Sequence, residues 1–142
     1  MDSFLTLPAD ERRTYFEQGA AQRGLPAAAL EKDFWVCLTL RELFRLPGIG
    51  KHLTFKGGTS LSKVWGLIER FSEDIDLVID KEQLGFGGDD SPEMAASTKQ
   101  WRKRGDAMKT ACQDFVHDRI EPALREAFGP LFDNLGEWAL ES

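Results

Sequence analysis

The sequence predicts a single domain, residues 1–142, of the α/β (α+β) class, with few strands in its core and helices before and after them. Two patterns predict this class. Apolar residues recur at helical spacing in residues 1–46 and again in residues 91–129. Between these regions, residues 51–80 contain two short runs with strand character. A chain of 142 residues is long enough to bury one modest hydrophobic core.

The N-terminal helical segment, residues 1–46, is expected to contain two helices. The first opens at Pro8, because proline and acidic residues are favoured in a first helical turn, and it ends at Gly19 or Gly24. The second covers the range from Pro26 to about Leu46. Its apolar stripe comprises Leu30, Phe34, Cys37, Leu38 and Phe44.

Residues 51–80 form the core motif around which the rest of the chain is arranged. Leu53 to Phe55 is predicted to be the end of a short strand. The glycine pair Gly57-Gly58 follows it and leads into a short helix over residues 59–68. A second strand is predicted over residues 74–79, where polar and apolar residues alternate.

A loop over residues 81–92 is predicted to lead into a long helical region over residues 91–129. Its main helix is expected from about Ser97 to Ile120, and Pro122 is expected to kink or restart it. Ser91 is the expected cap at its entry. Gly129-Pro130 is expected to end the helical region. The apolar side of the long helix comprises Trp101, Met108, Ala111, Cys112, Phe115, Val116 and Ile120.

The composition is ordinary for a globular protein, with 42% hydrophobic and 30% charged residues. A net charge of −6 predicts no bulk attraction to nucleic acid, so RNA contact would need a local basic patch. No apolar run approaches the roughly 20 residues of a membrane helix, and the start lacks signal-peptide features. We therefore expect a cytoplasmic protein without membrane contact. Cys37 and Cys112 are expected to be buried, reduced thiols, because no paired cysteine spacing predicts a metal site.

Asp74 and Asp76 are predicted to be ligands of Mg²⁺. Side chains alternate along a strand, so the two acids share one face, and Ile75, Leu77 and Ile79 share the other. Neighbouring carboxylates repel each other unless a cation lies between them, and Mg²⁺ prefers carboxylate and phosphate oxygens. The alternative is a solvated edge strand whose acids prevent strand pairing. The glycine loop that precedes the D-x-D pattern favours the metal site.

Gly57, Gly58, Thr59 and Ser60 are predicted to bind phosphates, with Lys63 one helical turn further on. Glycines allow close backbone approach, and a helix that begins after them presents free N–H groups to an anion. The alternative is a tight strand-to-helix turn capped by Thr59 or Ser60, with Lys63 in solvent. The spacing fits neither the Walker A pattern nor the G-x-G-x-x-G fingerprint.

One basic cluster lies near the start of the long helix. It is interpreted first as a solvated face, and second as a surface that contacts a triphosphate or an RNA backbone. The cluster comprises Lys99, Arg102, Lys103 and Arg104.

Three motifs occur in the order of a known family. They are Glu31-Lys32-Asp33-Phe34-Trp35-Val36, then Phe55-Lys56-Gly57-Gly58-Thr59-Ser60-Leu61-Ser62-Lys63, then Arg70-Phe71-Ser72-Glu73-Asp74-Ile75-Asp76-Leu77. A glycine pair after one strand and D-x-D on the next resembles nucleotidyltransferases of the DNA polymerase β type. The longer strings are similar to the AbiEii/AbiGii toxin family. The resemblance covers residues 20 to 80 well and the rest in outline.

The resemblance implies a minimal polymerase-β-like core and a Mg²⁺-dependent nucleotidyltransferase toxin of a toxin–antitoxin, or abortive-infection, system. Such an enzyme would transfer a nucleotide from an NTP to an acceptor such as tRNA, and a cognate antitoxin would be its partner. Ser72 then lies at the rim of the active site and joins Asp74 and Asp76 as a catalytic residue. Arg70 contacts the nucleotide, or else pairs with a neighbouring glutamate at the surface.

The family pattern is incomplete in this chain. The fold normally continues with more strands and a third carboxylate, and neither Asp80 nor Asp133 is assigned to that role. We therefore expect an N-terminal portion or truncated member, with the C-terminal part of the family fold absent. Two alternatives remain open. One is an inactive remnant that binds nucleotide or antitoxin, and the other is a helical interaction module.

Overall fold

The computed structural model describes residues 1–57 and 75–133, which are mostly helical and include a two-stranded antiparallel sheet. The helices are α1 (Asp2–Leu5), α2 (Ala9–Arg23), α3 (Ala27–Arg45), α4 (Thr98–Phe115) and α5 (Glu121–Phe132), and the strands are β1 (Leu53–Lys56) and β2 (Asp76–Ile79). Short 3-10 helices lie at Gly50–His52, Gly88–Asp90 and Pro92–Met94, and a π-helical turn lies at Val116–Ile120. The predicted α+β class is confirmed. The helix predicted over residues 59–68 lies outside the described residues.

Helices α2 and α3 form the N-terminal pair that the sequence predicts. Gly24 ends α2 in the left-handed conformation, with φ of 65°, and its N–H is directed at the carbonyl groups of Ala20 and Ala21. Glycine suits this position because it has no Cβ to clash there. Gly19, the other candidate, lies inside the helix.

The buried face of α3 is rotated slightly from the predicted stripe. Leu38 is fully buried as expected, and Val36 and Leu43 are buried beside it, whereas Phe44 is 41% exposed. Glu42 is also buried, and its carboxylate accepts a hydrogen bond from Arg41, which is also ion-paired with Asp2 of α1. This ion-pair network attaches the first helix of the chain to α3.

Helical backbone runs without a break from Thr98 to Phe132, and a π-helical turn separates α4 from α5. Ser97 caps α4 by accepting a hydrogen bond from the N–H of Gln100, so this helix begins near its predicted start at about Ser97 and after the predicted cap Ser91. Pro122 lies two residues after the π-helical turn, close to the predicted kink or restart. The entry predicted at Ser91 is only the short 3-10 helix Pro92–Met94.

The prediction that Gly129-Pro130 ends the helical region is wrong, since α5 continues to Phe132. The reason lies in aromatic packing. The ring of Phe132 stacks on Phe128, with centroids 4.9 Å apart, and makes an edge contact with Trp35 of α3 at 5.8 Å. Stacked and edge contacts of this kind stabilise the packed arrangement. Pro130 lies inside the helix, so the hydrogen bond that an N–H at this position would donate to the carbonyl of Glu126 is missing.

The predicted apolar side of α4 is not a closed core face. Helix α4 has no buried residue, and Trp101 is 54% exposed. Met108 and Cys112 instead line a groove of about 600 Å³ between α4 and the strand β2. No helix in the described ranges is long and apolar enough to cross a membrane.

The hydrophobic core joins the first and last helices to the sheet. It is built from α1, α3, β1, the turn before β1 and the C-terminal helices: Leu5, Leu38, Leu43, Leu46, Ile49, Leu53, Ile120, Leu124 and Phe128. Leu77 and Ile79 of β2 pack against this cluster. The inward face of the sheet is therefore held by the helices, and its outward face is left for other contacts.

Candidate functional site

The structure describes two of the predicted site residues, Gly57 and Asp76. The other predicted site residues lie outside the described ranges: Gly58, Thr59, Ser60, Lys63, Arg70, Ser72 and Asp74. Their assigned roles stay predictions.

Antiparallel pairing brings the glycine loop and the acidic strand together. Strand β1 ends where β2 begins, and Lys56 lies directly opposite Asp76 in the register. Gly57 follows Lys56 and is therefore next to the Asp76 carboxylate. The sequence places these residues 19 and 20 positions apart, and the strand pairing makes them neighbours.

The alternation predicted for the acidic strand is present. Leu77 and Ile79 are half-buried against the core, while Asp76 and Val78 are exposed. On β1, Lys56 is exposed on the same face as Asp76, because residues directly opposite each other across two strands share a face. The Asp76 carboxylate and the Lys56 ammonium group therefore lie on the same solvent-facing side of the sheet.

Gly57 has two properties that other residues cannot reproduce. Its φ of 78° lies in the left-handed region. A Cβ at this position would collide with the Oδ2 atom of Asp76 and would lie 2.8 Å from its Cγ and 3.0 Å from its Cβ. The Asp76 carboxylate thus stands in the space that the missing side chain leaves open.

Asp80 lies at the opposite end of the strand. At a rise of about 3.3 Å per residue, the four steps along the chain from Asp76 to Asp80 span roughly 13 Å. Its N–H donates a hydrogen bond to the carbonyl group of His52, and its carboxylate lies 3.4 Å from Nδ1 of His52. Asp80 is therefore too far along β2 to share a metal ion with Asp76.

The Asp76 carboxylate suits a hard divalent cation by its chemistry. It is an exposed oxygen donor, and in the described residues no hydrogen bond or ion pair joins it to another side chain. Carboxylate oxygens with remaining water ligands are typical of Mg²⁺ sites. Within residues 1–57 and 75–133, no group of three or more His, Cys, Asp or Glu residues is placed to hold a metal ion. Of the two acids predicted to bind Mg²⁺, Asp76 is the one that the structure describes.

One member of the basic cluster has a structural role. The Arg104 guanidinium donates hydrogen bonds to the carbonyl groups of Asp89 and Ser91, at 2.6 and 2.8 Å. Lys81 holds the same loop through the Ser91 hydroxyl and the Glu93 carboxylate, at 3.1 and 3.0 Å. The loop that follows β2 is thus fastened to α4 and to itself. Lys99, Arg102 and Lys103 are exposed, as a solvated face requires.

The cysteines are free thiols, and both are half-buried. Full burial was expected, and it does not occur because Cys112 lines the open groove beside β2. Burial raises the pKa of the Cys37 thiol. A raised pKa disfavours the thiolate, so Cys37 has the character of an unreactive packing residue.

Comparison with family models identifies the chain. Residues 39–136 match the model described as nucleotidyl transferase AbiEii toxin, type IV TA system. The chain belongs to the AbiEii nucleotidyl transferase toxin family. The match covers more than half of the chain and includes both strands, with Gly57 and Asp76. Comparison with curated proteins and with solved structures gave no significant match.

Family membership supports a toxin nucleotidyltransferase of a type IV toxin–antitoxin system, which implies a nucleotide substrate and an antitoxin partner. The matched region begins after the Glu31-Lys32-Asp33 motif. Glu31 and Lys32 are exposed on α3, and Asp33 is half-buried. Three consecutive residues of a helix cannot share one face, so the sequence predicts that this motif attaches α3 to the nucleotidyltransferase core through one ion pair rather than taking part in catalysis. That role stays a prediction.

The sequence leaves Lys56 with two roles, a phosphate contact or a solvated surface lysine, without a preference between them. Its place opposite Asp76 depends on the strand register, which residue spacing alone does not give. The antiparallel direction of the two strands was the missing information, since it turns residues that are distant in sequence into direct neighbours.

Proposed function

We propose that this AbiEii-family chain transfers a nucleotide from an NTP to an acceptor hydroxyl on RNA such as tRNA, with Mg²⁺ held by Asp74 and Asp76. One observation carries the proposal. The β1–β2 register places the exposed Asp76 carboxylate beside Gly57, so the acidic strand and the glycine loop meet at one edge of the sheet.

The residues at this edge have complementary tasks. Asp76 and Asp74 supply oxygen ligands for the cation, and bound Mg²⁺ offsets the negative charge of the triphosphate. The loop that begins at Gly57 contributes backbone N–H groups to the phosphates. The Lys56 ammonium lies on the same solvent-facing side and adds positive charge near the phosphate position. These residues would orient the α-phosphate for attack by the acceptor hydroxyl and would stabilise the developing charge. The bond between the α- and β-phosphates breaks as the new ester bond forms, so pyrophosphate leaves, and the acceptor hydroxyl loses its proton.

A labelled-transfer assay tests this proposal. The purified chain is incubated with each labelled NTP, Mg²⁺ and bulk tRNA. The Asp76→Asn variant removes one negative ligand and keeps the shape of the side chain. We expect it to lower transfer by about 100-fold or more, as loss of one preorganised charge-stabilising group typically does.

Asp80→Asn is the matched control, because Asp80 directly follows the last residue of β2 and lies roughly 13 Å from Asp76. It should retain transfer. Equal activity of parent and Asp76→Asn would refute the metal assignment. NTP binding without transfer by the parent would instead support a chain that binds nucleotide and does not turn it over.

A further inference from the structure

Gly57 differs from the other glycines with positive φ in the described residues. Gly24, Gly48, Gly85 and Gly88 also have φ between 55° and 83°, and a Cβ at any of them would meet no atom within 4 Å. At Gly57 the corresponding space is filled by the Asp76 side chain. Backbone conformation explains a glycine at all five positions, but the close approach of a carboxylate is particular to Gly57 among them.

The contact cannot be relieved by moving the strand as a whole. Lys56 and Asp76 are paired in the sheet, and the core-facing Leu77 packs against the helices. An alanine at position 57 would therefore act on the Asp76 side chain. Rotation about χ1 of Asp76 would remove Cγ and the carboxylate oxygens from the collision and would point the carboxylate in another direction. The Cβ of Asp76 would remain 3.0 Å from the new Cβ, so a small strain would persist after the carboxylate had changed its orientation.

We propose that Gly57 is a positioning residue for the Asp76 carboxylate. By lacking a side chain, it leaves open the orientation that the Asp76 carboxylate has in the structure. This role rests on the proposed function, in which Asp76 binds a divalent cation. It is separate from phosphate binding by the glycine loop, because it acts through the carboxylate and does not require a nucleotide.

Divalent-cation binding without nucleotide tests the role of Gly57. Mn²⁺ is the probe, since carboxylate and water ligands suit both Mg²⁺ and Mn²⁺. Electron paramagnetic resonance titration of Mn²⁺ gives the dissociation constant for the parent and for Gly57→Ala. We expect the dissociation constant to rise by about 10-fold or more, the usual effect of losing a group that orients a metal ligand.

Gly85→Ala is the matched control. Its φ of 83° imposes the same backbone strain on alanine, and no atom lies within 4 Å of the new Cβ. It should lower the thermal midpoint and leave the Mn²⁺ dissociation constant unchanged. A Gly57→Ala variant that binds Mn²⁺ as tightly as the Gly85→Ala variant would overturn the inference.

A thermal-stability comparison separates this inference from the proposed function. Gly57→Ala should lose more of its thermal midpoint than Gly85→Ala, and the excess should shrink when Asp76→Ala removes the carboxylate. If Gly57→Ala loses no more of its thermal midpoint than Gly85→Ala, or if the extra loss is the same when Asp76→Ala is also present, the contact is contradicted. The positioning role, which depends on the contact, is then contradicted as well. If the excess behaves as expected and Asp76→Asn binds Mn²⁺ like the parent, the contact is real but the metal assignment, and with it the positioning of a metal ligand, fails.

Discussion

Replacement of Leu38 by alanine should destabilise the whole described fold. Leu38 lies in α3, has no exposed surface and belongs to the core cluster that also contains Leu53 at the start of β1. The change removes three carbon atoms. At about 0.8 kcal/mol for each buried methylene, the transfer term is roughly 2.4 kcal/mol, and the cavity left behind raises the expected loss to about 3 kcal/mol. For a chain of this size, that loss lowers the thermal midpoint by about 10 °C.

Urea unfolding followed by circular dichroism measures this loss, with the m-value expected to stay constant. Met94→Ala is the control, because it also removes three side-chain atoms but from a residue that is 62% exposed. It should change the free energy of unfolding by less than about 0.5 kcal/mol. A loss below about 1 kcal/mol for Leu38→Ala would show that α3 does not pack as described, and would contradict the burial on which the estimate depends.

Two further changes test the helix contacts. The Arg41 guanidinium lowers the pKa of the Asp2 carboxyl, so this pair stabilises the fold above the ordinary carboxyl pKa and loses its effect as pH falls through the lowered value. Asp2→Asn should therefore lower the thermal midpoint at pH 7, and the difference from the parent should shrink as the pH falls through the lowered pKa of Asp2; a difference that stays constant down to the lowest pH at which the protein folds would contradict the ion pair. Ser97→Ala removes the cap of α4 and should cost about 1 kcal/mol in urea unfolding, whereas Ser97→Asp should retain most of the stability.

Much of the helical organisation was predictable because helices depend on local spacing. The bounds of α2 and α3 follow from proline, glycine and the apolar period, and the structure places them within a residue or two of the predicted ends. The cap at Ser97 was not assigned, although its position three residues before Gln100 is an ordinary capping arrangement. The helix end predicted at Gly129-Pro130 was wrong, because the aromatic packing of Phe132 on α3 outweighs the local tendency of glycine and proline to end a helix.

The candidate site was also predicted in part from the sequence and in part only from the structure. Alternation along residues 74–79 predicted that Asp76 faces away from the core, and the exposure of Asp76 agrees with it. The position of Lys56 beside Asp76, and the close approach of Gly57 to the Asp76 carboxylate, could be found only from the register of β1 against β2. No spacing rule connects these residues, since strand pairing depends on contacts between segments that are far apart in the chain.

The sequence by itself determined the class of fold, the order of α2, α3, the two strands and the C-terminal helical region, the outward face of Asp76 and the family motifs. These features are local, because a period of 3.6 or 2, a cap or a turn residue acts within a few positions. Only the tertiary structure decided which helix faces are buried, how far α5 extends, and that the Asp76 carboxylate occupies the space left by Gly57. Those outcomes depend on which segments pack against each other, and that is settled by the balance of burial and pairing over the whole chain.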